Sequence, residues 1–231
     1  MSHPLDRPVL SALRGARQAS LAITTGAAMR FQPGYAAFAV CPDPTPQALA
    51  DLAQLDMPEG VLITVEAEVQ PVPQGLVSVK AAVLAQMVLS APAQFSKTGI
   101  AVEPLGEADA ADMLALATLT EPGPFYAMTH RLGDFVGVRH DGRLLAMAGE
   151  RMKPDGFTEV SGVCVHPDAR SRGYAGALIK VVTDRILARG EQAFLHSYAD
   201  NAGAMGLYRA LGFVERARVN MQVLAKPEVS A

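Results

Sequence analysis

Apolar residues recur along the chain either at every second position or at every third and fourth, and these spacings predict strands and helices. In the first 93 residues, the pattern predicts a helix over residues 10–22 and strands over 35–40, 61–69 and 76–89. A second helix is predicted over residues 46–52, where the Thr45 hydroxyl can cap the first turn. This order of elements predicts a small α/β unit that contains no glycine-rich loop.

The pattern after residue 99 predicts a second group of elements. A short strand is predicted over residues 100–103 and a helix over 107–119, and the Pro-rich loop 120–125 ends that helix. Two strand-like runs then flank the pair Asp141-Gly142, which is a strong hairpin signal because both residues tolerate positive φ. A third strand follows over residues 158–165. Since short loops join these strands, this part of the sheet is expected to be antiparallel.

The first segment that suggests a binding site follows directly after the third strand. The loop over residues 166–176 leads into a helix predicted over residues 177–189, which Gly190 closes. Unpaired N–H groups of such a loop and of the first helical turn converge on an anion, and Gly173 lets a phosphate approach the backbone. Arg170 and Arg172 add positive charge. An ordinary connection with two solvated arginines is the alternative, because neither a P-loop nor a dinucleotide fingerprint is present.

Two motifs give the chain a resemblance to a known family. Residues 170–175, Arg-Ser-Arg-Gly-Tyr-Ala, fit the Arg/Gln-x-x-Gly-x-Gly/Ala signature of the GNAT superfamily of acyl-CoA N-acyltransferases. Residues 201–213, which begin with Asn201 and include Tyr208 and Gly212-Phe213, resemble the second block of that family. The resemblance covers residues 94–231. It implies an α/β (α+β) fold, a mixed and mostly antiparallel sheet flanked by helices.

The resemblance also implies a cofactor site. Acetyl-CoA would be the co-substrate, and no metal is expected. By position, the pantetheine arm and thioester would meet Val163, Cys164 and Val165. The pyrophosphate would meet Arg170, Ser171, Arg172, Gly173, Tyr174 and Ala175. Asn201 would support the cofactor from the next helix, and Tyr208 would lie near the sulfur.

Aminolysis of a thioester needs a proton acceptor for the amine and a proton donor for the departing thiolate. Glu159 occupies the position of the general base in the histone-acetylating branch of the superfamily, and Glu150 or a water relay is the alternative. Tyr208 is the expected acid, and it shares a helix face with Asn201, seven residues earlier. His166 and His196 are weaker candidates for the base. Residues 122–126 are expected to contact the acceptor.

Composition narrows the class of protein. The 231 residues include 50% hydrophobic and 19% charged residues with a net charge of −3, so the basic surplus usual in DNA-binding proteins is missing. The two cysteines, Cys41 and Cys164, match no ligand spacing and suit a reducing cytoplasm. Neither a signal peptide nor a membrane span is visible, since the most apolar segment, 81–89, is far too short. A cytoplasmic protein without nucleic-acid or membrane partners is therefore expected.

Two functions are consistent with this sequence. The first is acetyl-CoA-dependent N-acetyltransfer to a primary amine, either a small molecule or a peptide, by a monomer or homodimer. The second is a non-catalytic acyl-CoA-binding sensor with the same fold. Residues 94–231 would form the catalytic domain under the first reading. Residues 1–93 would be either a degenerate repeat of the same fold or an unrelated α/β cap over the acceptor cleft.

Overall fold

The structure is a computed structural model that describes residues 3–92 and 99–227. Its α-helices are α1 (Pro8–Arg14), α2 (Pro46–Ala53), α3 (Ala110–Thr120), α4 (Tyr174–Ala188) and α5 (Ala202–Ala210). Its strands are β1 (Ala22–Thr25), β2 (Ala28–Phe31), β3 (Ala39–Val40), β4 (Leu62–Glu66), β5 (Val77–Leu89), β6 (Glu103–Leu105), β7 (Phe135–His140), β8 (Arg143–Glu150), β9 (Phe157–Val165), β10 (Gln192–Tyr198) and β11 (Phe213–Ala225).

Eight of these strands form one sheet in the order β4-β11-β5-β10-β9-β8-β7-β6. Every neighbouring pair is antiparallel except β9 and β10, which are parallel. The three short strands β1, β2 and β3 form a separate antiparallel sheet. The prediction of a mixed, mostly antiparallel sheet flanked by helices is therefore confirmed.

The sheet is covered on both faces. On one face, α4 and α5 pack against apolar residues of β5, β9 and β10, with Leu178, Ile179 and Val182 fully buried. On the other face lie the N-terminal segment, which inserts Leu5 and Val9, and helix α3. Burying one such aliphatic side chain contributes about 1.5–3 kcal/mol. None of the helices among the described residues is long and apolar enough to cross a membrane.

Local signals predicted several elements correctly. The turn between β7 and β8 has φ of 50° at Asp141 and 77° at Gly142, as the Asp-Gly pair requires. The strand predicted over 158–165 is β9, the strand predicted over 76–89 is β5, and the helix predicted over 46–52 is α2. The Thr45 hydroxyl accepts a hydrogen bond from the Ala48 N–H at 3.2 Å, which confirms the cap.

Three predicted elements are wrong in extent. The helix predicted over residues 10–22 ends at Arg14, because Gly15 has an extended backbone, and residues 22–31 form a hairpin through Gly26. The strand predicted over 35–40 is reduced to β3. The strand predicted over 100–103 is shifted to β6, which pairs with β7.

The sheet crosses the domain boundary expected at residue 93. Strand β5 comes from the N-terminal half and lies between β10 and β11, which come from the C-terminal half. It forms antiparallel ladders with both neighbours. The division at residue 93 stays a prediction, and any such division runs through one hydrogen-bonded layer.

Candidate active site

The parallel strands β9 and β10 separate near the middle of the sheet. They pair at three positions, the last of which joins Phe194 to Glu159. Beyond this point β9 continues beside β8, and β10 continues beside β5. The register of β9 against β8 shifts in this region, where Gly162 has a φ of 62°. A bulge at this place bends the strand and opens a gap between the two parallel strands.

A cavity of about 310 Å³ lies at this gap and is lined from both faces of the sheet. The predicted site residues Val163, Asn201 and Tyr208 line it together. The remaining lining residues are Phe38, Val65, Leu84, Thr120, Glu121, Pro122, Gly123, Pro124, Arg151, Met152, His196, Ser197, Tyr198, Ala204 and Met221. A shallower outer groove of about 590 Å³ adjoins the cavity and shares Glu121 and Tyr198 with it.

The loop before α4 has the geometry of an anion site. Ser171 and Gly173 both have left-handed backbones, with φ of 62° and 86°, and α4 begins at Tyr174. The first α-helical hydrogen bond here runs from the Ala177 N–H to the Gly173 carbonyl, so the preceding N–H groups have no partner within the helix. These groups and the helix dipole favour a negatively charged ligand. The predicted residues 170–175 therefore fit a pyrophosphate.

Two predicted site residues, Asn201 and Tyr208, lie at the start of helix α5 and on it. The Asn201 side-chain oxygen accepts a hydrogen bond from the Ala204 N–H at 3.1 Å and caps the helix, which leaves the side-chain NH₂ for a ligand. The Tyr208 ring packs edge-on against Phe213, with ring centroids 6.2 Å apart. Burial raises the pKa of Tyr208. Its hydroxyl therefore stays protonated at neutral pH and is available as a proton donor.

Cys164 lies beside these residues but faces away from α4. Its side chain is buried in the apolar cluster between α3 and the sheet, with Met113 and Phe135. Burial raises the pKa of the Cys164 thiol to about 11. A thiol with this pKa is protonated and unreactive at neutral pH. Only the backbone of Cys164 is suited to meeting a cofactor.

Glu159 lies in a buried polar network. Arg151 donates to both of its carboxylate oxygens at 2.8 Å, and His196 Nδ1 lies 2.8 Å from Oε1. Burial raises the pKa of Glu159, but the Arg151 charge and the hydrogen bonds from Arg151 and His196 outweigh it and hold the pKa at about 2. The side chain is fully buried and does not line the cavity. In this arrangement Glu159 is a weak proton acceptor.

The same network fixes the ring of His196. Gln86 donates one amide hydrogen to the Leu5 carbonyl at 2.7 Å, and its oxygen accepts a hydrogen bond from Arg216 at 2.8 Å. The second amide hydrogen of Gln86 therefore points to His196 Nε2, 3.1 Å away, which acts as the acceptor. This assigns the ring proton of the neutral imidazole to Nδ1, facing Glu159. Both ring nitrogens are thus occupied.

Comparisons with known proteins agree with this architecture. The model of the family described as FR47-like protein matches residues 135–222. A crystal structure from Novosphingobium aromaticivorans DSM 12444, assigned as a GNAT-family acetyltransferase, is 44% identical to this chain with a TM-score of 0.89. The match covers 98% of this chain and 100% of that protein. The chain belongs to the GNAT family.

More distant structures share the fold. A GCN5-related N-acetyltransferase from Kribbella flavida is 22% identical, with a TM-score of 0.61 over 90% of each chain. A GCN5-related N-acetyltransferase-like protein from Streptococcus suis 89/1591 is 12% identical, with a TM-score of 0.60 over 95% of this chain and 92% of that one. No curated protein matches this chain.

Glu150 and His166, two other candidates for the general base, lie away from the cavity. Glu150 lies on the face that α4 covers, where it forms ion pairs with Lys153 at 2.9 Å and Arg189 at 2.7 Å. His166 contacts Arg143 at 2.5 Å and accepts a hydrogen bond from the Asp168 N–H. Neither side chain lines the cavity. Glu150 therefore lies apart from the residues that the cavity brings together, and its role as the base stays a prediction.

The loop that follows α3 forms one side of the cavity. Its residues Pro122, Gly123 and Pro124 line the cavity, and Phe125 and Tyr126 line the outer groove. The far end of this loop is held by the N-terminal half. The Met128 N–H donates to the Gly34 carbonyl at 2.8 Å, and the Thr129 hydroxyl donates to the Tyr35 carbonyl at 2.8 Å.

A buried ion pair holds the Gly34 backbone, to which the Met128 N–H binds. The Gly34 N–H donates to Glu59 at 2.7 Å, and Glu59 pairs with the fully buried Arg30 at 2.6 Å. The sequence shows neither this pair nor the Glu159 network, because nothing in the apolar spacing marks Arg30, Gln86 or Arg151 as buried. In the part of the chain that the structure describes, His, Cys, Asp and Glu side chains form no group of three that could hold a metal.

Proposed function

We propose that this GNAT-family chain is an acetyl-CoA-dependent N-acetyltransferase that transfers the acetyl group directly to a primary amine. One observation carries the proposal. The cavity at the β9–β10 gap contains Tyr208 and Asn201, and β9 leads directly into the loop whose geometry fits a pyrophosphate. A thioester carried on a long phosphorylated arm fits such a path, because its anionic end and its reactive end need separate sites.

Each residue of the path has a separate task in this reaction. The loop over residues 170–175 would hold the pyrophosphate, and the backbone of Val163, Cys164 and Val165 would follow the arm. The Asn201 NH₂ group would donate a hydrogen bond to the arm. A backbone N–H near the end of β9 would stabilise the developing oxyanion. Tyr208 would donate a proton to the departing thiolate.

We propose a positioning role for Glu159 rather than proton abstraction. Its carboxylate is hydrogen-bonded to Arg151 and His196, and the Glu159 side chain does not line the cavity. It fixes both side chains where they face the cavity. The acceptor's proton must then leave through another carboxylate or through water.

A non-catalytic acyl-CoA sensor is the second candidate. It is favoured by the contacts of Arg151 and His196 with the Glu159 carboxylate, which leave no free base there, since a sensor needs no base. Against it stands Tyr208, a protonated donor on the cavity wall, which a sensor does not need either. Turnover decides between the two candidates.

Free-thiol release from acetyl-CoA in the presence of a panel of primary amines tests the proposal. Tyr208→Phe should lower kcat by about 10²–10⁴-fold, because positioned proton transfer contributes that much. The dissociation constant for acetyl-CoA should change less than about threefold, since the ring remains. Tyr35→Phe, outside the cavity, is the matched control and should retain full activity. Tight cofactor binding without turnover on any amine would support the sensor instead.

The setting of this reaction is also part of the proposal. We propose that the acceptor is a small-molecule or peptide amine and that the protein works in the cytoplasm as a monomer or homodimer. The net charge of −3 offers no general attraction for nucleic acid. The acceptor then reaches the cavity through the outer groove beside the loop after α3.

A further inference from the structure

The acidic residue Glu121 lines both the cavity and the outer groove. Among the described residues it is the single acidic residue that lines the cavity, and the single one that lines the outer groove. It lies where the two meet. An amine that enters through the groove passes this carboxylate before it reaches Tyr208.

The other ionisable groups that face this space already have assigned partners or roles. Arg151 is paired with Glu159, and both nitrogens of His196 are occupied. The Tyr198 hydroxyl accepts a hydrogen bond from Lys80 at 2.8 Å. The groups that face Glu121 across the cavity and groove are Lys80 on β5, Tyr126 in the loop after α3, Arg151 after β8, His196 and Tyr198 on β10, and Tyr208 on α5.

The backbone holds Glu121 in a position that stability alone would not select. Its φ is 47°, in the left-handed region, and its N–H donates to the Ala117 carbonyl at 2.8 Å to end α3. Glycine is the favoured residue at such a helix end. A carboxylate at a helix C-terminus also opposes the helix dipole. Two unfavourable features at one residue of a cavity wall indicate a functional reason for the carboxylate.

The loop around Glu121 is held at both ends. On one side α3 ends at Glu121, and on the other side the Thr129 hydroxyl and the Met128 N–H bind the N-terminal half. Two prolines, Pro122 and Pro124, restrict the backbone between these anchors. The Glu121 side chain therefore starts from a fixed backbone position at the cavity mouth.

We propose that Glu121 contacts the acceptor's ammonium group and removes its first proton. This inference rests on the proposed N-acetyltransferase function. A free alkylammonium has a pKa of about 10, so at pH 7 the acceptor arrives charged and without a lone pair. A carboxylate at the cavity mouth both attracts that charge and opens a path for the proton to solvent, because Glu121 is exposed.

The proton and bond changes balance in this scheme. Glu121 takes one proton from the ammonium and releases it to solvent. The free amine attacks the thioester carbon, so that a C–N bond forms while the C–S bond breaks. The thiolate takes the proton of Tyr208, and the second proton lost by nitrogen restores Tyr208. The products are an amide, a free thiol and one proton in solution.

The pH dependence of acetylation tests this role. With wild-type protein, kcat/KM for a simple alkylamine such as n-butylamine should be flat between pH 7 and 9, since the charged amine is the species that binds. Glu121→Gln should lower kcat/KM at pH 7 by about 10²-fold or more. Its kcat/KM should then rise about tenfold per pH unit, because only free amine from solution reacts. Glu121→Asp should restore part of the activity.

Matched measurements separate this inference from the proposed function. Glu68→Gln removes an exposed carboxylate outside the cavity and groove and should leave kcat/KM within about twofold. Acetyl-CoA affinity should be the same in all variants. A Glu121→Gln variant with wild-type kcat/KM and a flat pH profile would overturn the inference while the N-acetyltransferase function stands.

A binding experiment covers the case in which the wild-type protein turns over no amine. n-Butylamine is titrated calorimetrically into wild-type and Glu121→Gln protein saturated with coenzyme A. At least tenfold weaker binding by the variant would support the contact with the ammonium, even though the proposed catalysis would have failed. Equal affinities, or no binding by either protein, would overturn the contact as well.

Discussion

The buried pair of Glu159 and Arg151 makes a quantitative prediction about stability. Glu159→Gln keeps the shape of the side chain but removes its charge. The Arg151 guanidinium, which is 11% exposed, would then lack its counter-charge. Breaking a buried ion pair in this way is strongly destabilising, typically by about 3–5 kcal/mol.

The pKa of Glu159 gives an independent magnitude. A fall from 4.5 to about 2 on folding corresponds to roughly 3 kcal/mol of stability at neutral pH. Because the folded-state pKa is depressed, this stabilisation is fully present above pH 4.5 and is lost as the pH falls through about 2. For a chain of this size, Glu159→Gln should therefore lower Tm at pH 7 by about 6–12 °C.

Urea unfolding at pH 7 and at pH 3 measures this difference. The gap between wild-type and Glu159→Gln protein should shrink at pH 3, because part of the wild-type stabilisation has been lost there. Glu107→Gln is the matched control. The pKa of Glu107 is also lowered to about 2, through hydrogen bonds from Arg131 and His130, but its side chain is 65% exposed. Exposed pairs contribute little, so Glu107→Gln should leave Tm nearly unchanged.

Two results would refute the positioning role of Glu159. One is a Glu159→Gln variant as stable as the wild type at pH 7. The other is a variant of normal stability that has lost turnover alone, since that pattern belongs to a base. Replacing both partners, in Glu159→Gln with Arg151→Met, should recover part of the loss, because no unpaired charge is left buried.

Two further substitutions test the remaining parts of the site. Gly173→Ala should weaken acetyl-CoA binding by about tenfold or more in calorimetry. The control Gly190→Ala should lower stability by a similar amount without changing acetyl-CoA affinity, because Gly190 has a similar φ of 76° and open space around it. Equal affinity in both variants would contradict the phosphate role. Thr129→Val should speed hydrogen exchange of the Tyr126 amide by about tenfold, because it removes the acceptor of that N–H and the bond to Tyr35, and Thr129→Ser should restore protection. Unchanged exchange in Thr129→Val would show that the loop is held by other contacts.

The sequence predicted best where structure depends on neighbouring residues. The Asp141-Gly142 turn needs only two positive φ angles, and the loop before α4 needs a left-handed residue, Gly173, at the start of the helix. Thr45 caps α2 through the N–H three residues later. In each case the residues that determine the geometry are close together in the chain, so their pattern is visible without the fold.

Prediction failed where partners are distant in sequence. The role of Glu159 as a base stays a prediction, but the sequence could not show that Arg151, eight residues earlier, and His196, 37 residues later, both bind its buried carboxylate. The helix predicted over residues 10–22 has suitable spacing, yet Gly15 ends it and residues 22–31 form a hairpin. Tertiary packing outweighs local propensity at such positions.

The two halves of the chain contribute differently to the site. The C-terminal half carries the motifs, and these belong to the side that fits the anionic arm. The N-terminal half contributes Phe38, Val65 and Leu84 to the cavity wall, and it also holds the loop after α3 through Thr129. Since β5 also separates β10 from β11, the N-terminal half cannot be removed without opening the sheet beside the cavity. The motifs that identify the family therefore leave part of the cavity wall unpredicted, because that part comes from the half without motifs.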